Sequence, residues 1–306
     1  MASHKEIDEI SGVDTTGHEW DGIKELNNPM PRWWLWTLYA TIVWSIGYTI
    51  VYPAFPGLTT SSKGLAEWSS RGDLRVDLAT VSKSNEAVIS QIAALDVNAV
   101  LADDKLRAFA VSAGSSLYKI NCVQCHGSGA QGGVGYPNLN DDSWLWGGTP
   151  EQVYLTLKHG IRSTTESETR DSMMPAFGKD GILEPLQIQQ VTNYVLQMGK
   201  LEHDAALATE GAVVFSENCT GCHGESGEGN VDLGAPQLND AIWLYGGSLA
   251  EITTQIVQPR HGMMPAWGPR LGDTNVKMLT AYVMSLGGGL ESEVSMNTNG
   301  LDGSGQ

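Results

Sequence analysis

A chain of 306 residues with a formal charge of −17 and an isoelectric point near 4.7 has no electrostatic case for binding nucleic acid. Its length allows two domains of about 100 residues each plus further segments. The four cysteines all fall in two pentapeptides, Cys122-Val123-Gln124-Cys125-His126 and Cys219-Thr220-Gly221-Cys222-His223, which leaves no thiol for a disulfide or a separate metal site.

In chain order, residues 1–32 are polar and acidic, with no apolar run. They read as a soluble segment in which Gly22-Ile23-Lys24-Glu25-Leu26 forms a short interfacial helix. From Trp33 to Ser62 there is no charged residue. The stretch Trp33–Tyr52 would span about 30 Å as a helix, the thickness of a bilayer's hydrocarbon core. Trp33, Trp34 and Trp36 stand at its start and Tyr48 and Tyr52 at its end, as interfacial belts do, and Pro53 and Pro56 follow as stops. A buried core helix would need a flanking domain to cover it. A cleaved signal peptide would need a basic leading region and a shorter apolar run. A single transmembrane helix over residues 33–55 is therefore expected. Lys5, Lys24 and Arg32 precede it and Lys63, Arg71 and Arg75 follow, so charge alone does not orient it. Residues 56–102 read as a connector, helical from Asp73 to Leu101.

From about residue 103 the sequence repeats itself. Asn140-Asp141-Asp142-Ser143-Trp144-Leu145-Trp146-Gly147-Gly148 matches Asn239-Asp240-Ala241-Ile242-Trp243-Leu244-Tyr245-Gly246-Gly247, and Met173-Met174-Pro175-Ala176-Phe177-Gly178 matches Met263-Met264-Pro265-Ala266-Trp267-Gly268. The first copy carries extra residues around Ser163–Asp171. A helix precedes each pentapeptide, Lys105–Ile120 and Ala208–Asn218, with Gly114 and Tyr118 in one and Gly211 and Phe215 in the other. Glycine and aromatic at i and i+4 share a face, where a second helix can cross closely. The unit's closing helix, Glu184–Met198 with Tyr194 or Thr274–Leu286 with Tyr282, is the expected partner. Two domains follow, 103–202 and 203–288, and a glycine- and serine-rich tail, 289–306, expected to be flexible. The fold class is mainly α: one N-terminal transmembrane helix, then two tandem cytochrome c-like haem domains.

The pentapeptide is the attachment signature of a c-type haem. Cys122 and Cys125, and Cys219 and Cys222, can each form thioethers with the vinyl groups of one porphyrin, while His126 and His223 supply proximal ligands to iron. A four-cysteine zinc site would need the pairs about 15 to 20 residues apart, and it gives no reason for a histidine after each. Two covalently bound haem c groups are expected. Met174 and Met264, each directly before proline, are the candidate sixth ligands, because proline holds the preceding residue extended. Met173 and Met263 then pack. The carbonyls of Pro137 and Pro236 are candidate acceptors for the proximal imidazoles. Trp144, Trp146, Trp243 and Tyr245 are expected either to wall the haems and turn N–H groups to the propionates or to be plain core aromatics. Arg162 and Arg260 are candidate propionate partners; His159 and His261 read as ordinary loop histidines. No residue is a candidate for catalysis. Because c-type haem is fitted outside the bacterial cytoplasmic membrane, the N-terminus should be cytoplasmic and the haem domains periplasmic, on a single-pass protein of the inner membrane.

Asn28-Pro29-Met30-Pro31-Arg32-Trp33-Trp34 before one membrane helix, followed by WLWGG/WLYGG and MPAFG/MPAWG around two haem motifs, closely resembles the CcoP subunit (subunit III) of cbb3-type cytochrome c oxidases. The resemblance covers nearly the whole chain. It implies an electron-transfer subunit that takes electrons from a soluble periplasmic cytochrome c. It would pass them through a monohaem cytochrome c subunit to the haem b/haem b3–copper subunit, which reduces oxygen and pumps protons. The chain itself would then hold no oxygen-reduction site. Two rival functions are a dihaem cytochrome of another respiratory complex and a dihaem peroxidase. The peroxidase needs a haem open to peroxide, whereas both units here offer a methionine.

Overall fold

The computed structural model describes residues 6–290, so most of the tail expected to be flexible, 291–306, lies outside the described residues. The chain is mainly helical and divides into two compact units, one up to Ser84 and one from Asn85 onward.

In the first unit, β1 (Thr15–Trp20) pairs antiparallel with β2 (Ile23–Leu26). The helix expected at 22–26 is thus a strand. Asp21 and Gly22 both have positive φ, 49° and 85°, the pair of left-handed residues that closes a two-residue hairpin with the twist that strands need. Helix α1 (Arg32–Val51) follows Pro31 and buries none of its residues within the chain. It is long and apolar enough to cross a membrane. Its hydroxyls turn back on the helix: Thr37 donates to the carbonyl of Trp33, Thr41 to Leu38, Ser45 to Thr41 and Thr49 to Ile46. None of these four hydroxyls then needs water, which a hydrocarbon environment would not supply. Helix α2 (Ser70–Ala94) is shorter than the expected connector helix. Asp96 interrupts it by accepting from the backbone N–H of Ala99, which caps a new helix, α3 (Val97–Ala102).

The second unit contains the end of α2, α3, α4 (Asp104–Asn121), α5 (Val123–His126), α6 (Pro150–His159), α7 (Pro185–Met198), α8 (Ala205–Asn218), α9 (Thr220–His223), α10 (Leu249–Val257), α11 (Gly268–Leu271) and α12 (Asp273–Met284). Thr149 and Ser248 each form a capping box, with Gln152 and Glu251, and so start α6 and α10 at matching places in the two repeats.

The helix crossings differ from expectation. Helix α4 does not cross the closing helix of its own repeat, α7, but α12; helix α8 crosses α7. At Gly114 a Cβ would stand 2.2 Å from the carbonyl oxygen of Met278 and 2.8 Å from Cβ of Tyr282. At Gly211 it would stand 2.1 Å from the carbonyl oxygen of Gln190 and 2.9 Å from Cβ of Tyr194. Glycine is needed at both points because the backbones touch. The aromatics meet beside them, Tyr118 with Tyr282 at 5.2 Å and Tyr194 with Phe215 at 5.3 Å. The exchange has a simple cause. Only residues 199–204 separate α7 from α8, and two helices joined by so short a loop pack as an antiparallel hairpin.

Two cores result. Tyr118, Cys122, Val153, Leu157, Val276, Leu279 and Val283 form one, from α4, α6 and α12. Phe177, Ile188, Val191, Val195, Phe215, Ile252 and Ile256 form the other, centred on α7, α8 and α10. A third cluster, with Ile92, Val100, Leu106, Ala110 and Met278, joins the end of α2 and α3 to α4 and α12. There the buried ammonium of Lys277 donates to the carbonyls of Ala93 at 3.0 Å and Leu95 at 2.7 Å and lies 3.0 Å from Asp273.

Candidate haem sites

Each pentapeptide begins where a long helix ends. The N–H of Cys122 closes the last turn of α4 on Tyr118, and that of Cys219 closes α8 on Phe215. The single turns α5 and α9 then set two cysteines and a histidine around one axis, with the N–H of His126 and of His223 bonded to the carbonyl four residues back, that of Cys122 and of Cys219, at 2.9 Å each. In each pair one thiol faces the core and one is exposed, Cys122 against Cys125 and Cys219 against Cys222. Burial pushes the Cys122 and Cys219 thiols up to about 11, so both stand protonated near neutral pH.

Both histidine rings are anchored alike. Nδ1 of His126 is 3.0 Å from the carbonyl oxygen of Pro137, and Nδ1 of His223 is 3.0 Å from that of Pro236. A carbonyl can only accept, so Nδ1 carries the proton and Nε2 keeps its lone pair. Burial holds both imidazoles below the usual histidine range, which favours the neutral form that binds a metal.

The methionine loops are exchanged with the helices. Met264 pairs through its backbone with Ile161, two hydrogen bonds of 2.9 Å, and the N–H of Trp267 reaches the carbonyl of Leu157 at 3.0 Å. Met264 thereby packs on the core that contains Cys122. Met174 packs on the core with Cys219, its loop tied to α10 by the bond from Lys179 N to Val257 O. Met173 and Met263 are exposed. Met174 and His126, neighbours in one repeat, therefore belong to different cores; so do Met264 and His223.

A cavity of about 390 Å³ is lined by both pairs of cysteines, His126, His223, Met174 and Met264. Of the tryptophans expected around it, Trp144 gives its N–H to the carbonyl of Gly288, whereas Trp243 Nε1 is buried with no acceptor among the described residues. Trp146 is buried against Gly234, and Tyr245 lies against Gly135, so each ring sits on the loop that follows the other repeat's pentapeptide. Arg162 donates to the carbonyls of Gly262 and Ser172, both at 2.7 Å, and burial lowers its pKa. Arg260 stacks 4.5 Å over Tyr245 and donates to that residue's carbonyl. Both arginines line the cavity, as does His261. His159 instead sits with Glu166 and Glu168 of the inserted loop, its Nδ1 3.4 Å from Glu168. Sequence reasoning missed Arg170, whose guanidinium lies 5.4 Å over Trp146; nothing in the local sequence distinguishes it, because the contact depends on how the inserted loop folds back. A fixed imidazole, two thiols and a thioether on each side of an apolar cavity fit a c-type haem at each pentapeptide, and the buried, unpaired indole N–H of Trp243 fits a polar group of one of them.

Three family models match successive stretches: the N-terminal domain of cytochrome oxidase-cbb3, FixP, at residues 12–59; cytochrome c at 111–199; and cytochrome c oxidase, cbb3-type, subunit III, at 206–283. The cbb3-type cytochrome c oxidase subunit FixP of Sinorhizobium medicae is 52% identical over 286 residues, 94% of this chain and 98% of the relative. Subunit CcoP of Cereibacter sphaeroides is 52% identical over 275 residues, 90% of this chain and 95% of the relative. The chain belongs to the FixP/CcoP family of cbb3-type oxidase subunits. As a FixP/CcoP-family chain it has two cytochrome c domains, which imply haem c binding and make it an electron-transfer subunit of an oxidoreductase complex.

Proposed function

We propose that this chain is a membrane-tethered dihaem relay that takes electrons from a soluble periplasmic cytochrome c and passes them to a cbb3-type oxidase core. The receiving partners would be a monohaem cytochrome c subunit and, beyond it, the haem b/haem b3–copper subunit. The observation that carries this reading is the doubled arrangement of a carbonyl-held neutral histidine and a half-buried methionine packed on the same core. Cys122, Cys125 and His126 would hold one haem with Met264 as the distal ligand; Cys219, Cys222 and His223 would hold the other with Met174. Each bound haem supplies a one-electron iron couple, which a methionine ligand shifts to higher potential. The polypeptide's part is positional. Pro137 and Pro236 fix the imidazole tautomers, the Ile161–Met264 pairing and the Lys179–Val257 bond hold the thioethers, and the packed cores keep water from the ligands. In sequence the haem domains run from 103 to 202 and from 203 to 288; in packing each would borrow the other's methionine loop. The helix α1 would span the inner membrane within residues 33–55, with residues 1–32 in the cytoplasm, 56–102 as periplasmic connector and both haems in the periplasm.

The test is Met264→His in the full chain. Under the crossed arrangement it lowers the potential of the haem attached at Cys122 and Cys125, and the sulfur-to-iron charge-transfer band of that haem disappears. A change confined to the haem at Cys219 and Cys222 would refute the pairing. Detergent purification with haem staining and mass spectrometry tests the rest: two covalent haems on this chain and a co-purifying haem–copper subunit are expected.

A further inference from the structure

Residues 160–162, just beyond α6, lie between the two methionine loops and bond to both. On one side Ile161 exchanges two backbone hydrogen bonds of 2.9 Å with Met264. On the other it is bridged to Arg170, where the N–H of Arg162 reaches the carbonyl of Arg170 at 2.8 Å. Gly160 makes room for this, since a Cβ there would stand 2.5 Å from the carbonyl oxygen of Met264. Arg162 itself has a φ of 49°. That left-handed backbone is uncommon outside glycine, persists only where its surroundings hold it, and clusters at ligand clamps. The guanidinium carries the link further. Its Nε donates to the carbonyl of Gly262 and its Nη1 to that of Ser172, both at 2.7 Å. The two acceptors are equivalent in the repeats: Gly262 stands two residues before Met264, and Ser172 two residues before Met174. The arginine after α10 is spent differently, because Arg260 donates to the carbonyl of Tyr245 and to Gln255.

We infer that Arg162 is one clamp for both sixth ligands, a positioning residue that ties the Met174 and Met264 loops together so that the two irons keep or lose their thioethers as a pair. The inference rests on the haem assignment proposed above. An arginine stays protonated and offers its donors in a rigid plane, so one side chain can fix two carbonyls from separate loops at a set spacing. Bonds from a charged donor are also the stronger kind, which suits a clamp. Charge gives Arg162 a second effect. It lines the cavity, and a positive charge there favours the iron state that has gained an electron, which raises both potentials.

The experiment uses the full, haem-loaded chain in detergent. In the parent both sulfur-to-iron charge-transfer bands are present and the reduced chain takes up no carbon monoxide. With Arg162→Gln both bands weaken together, both midpoint potentials fall, and carbon monoxide uptake rises from none to one per haem at both haems. Arg162→Lys keeps the charge but not the planar fork. Both bands weaken there too, while the potentials fall less, and this variant carries the test should the glutamine one fail to fold. Lys277→Met is the control for general destabilisation: its ammonium serves the carbonyls of Ala93 and Leu95, so its loss weakens the same unit and leaves both bands intact. Bands lost at one haem only, or intact at both in an Arg162 variant that carries two haems, overturn the inference. Equal weakening in Lys277→Met overturns it as well, by reducing Arg162 to general support. A parent with two covalent haems but without the bands fails on the methionine assignment itself, and the inference falls with it.

Discussion

Gly114→Ala isolates the exchanged helix crossing in one methyl group. In an ordinary helix the change stabilises by about 1 kcal/mol. Here the new Cβ would lie 2.2 Å from the carbonyl oxygen of Met278 and 2.8 Å from Tyr282 Cβ, and the first of these is backbone, which no side-chain rotation can clear. Helices α4 and α12 would have to part by about 1 Å, and overpacking of this kind costs about 1–3 kcal/mol, sometimes more. The contact is tight enough to place the cost at the upper end, so a net loss of about 2 kcal/mol remains. For a body of this size that lowers the melting temperature by about 4–8 °C. Thermal unfolding of the haem-loaded chain, followed by far-UV circular dichroism and by the visible haem bands, measures it. Because α12 lies just beyond the Met264 loop, the bands of the haem on Cys122 and Cys125 should change first. Gly211→Ala should instead disturb the haem on Cys219 and Cys222, through α7. An unchanged or raised melting temperature for Gly114→Ala would refute the close crossing, and the reverse order of haem changes would refute the exchange.

Three further outcomes follow from the same structure. Lys277→Met leaves the carbonyls of Ala93 and Leu95 without their buried donor and should destabilise the unit by about 1–3 kcal/mol, read as a lower denaturation midpoint with both haems still attached. Expression of residues 103–202 alone should give no compact haem protein, because α4 lacks α12 and α7 lacks α8; a cooperative unfolding transition in that fragment would contradict this. If a thioether occupies each sixth position as proposed, the reduced full chain should bind no appreciable carbon monoxide at either haem; rapid stoichiometric binding would sink the methionine assignment for that haem and revive the peroxidase reading.

Much of the site was legible in the residues. The pentapeptides, the Met-Pro pairs and the prolines 11 and 13 positions after the histidines lie close together along the chain, so spacing alone reports them. The histidine–proline contacts stand in the structure where the spacing placed them. The hairpin at 15–26 was misread because two left-handed residues, one of them Asp21, outweighed a weak helical pattern. Arg170 and the contrast between Trp144 and Trp243 had no local signal at all, since each depends on a segment that returns from far along the chain.

By itself the sequence determined the two cysteine–histidine pentapeptides, the long apolar helix and the existence of two alike units, because each rests on local spacing or on apolar length. Only the tertiary structure decided which closing helix crosses which leading helix, and hence which methionine stands with which histidine. Both repeats show the same glycine–aromatic face, so a helix cannot tell its own partner from the other's by surface. The six-residue link between α7 and α8 makes the choice, since a short loop brings its two helices together and leaves α4 and α12 to find each other.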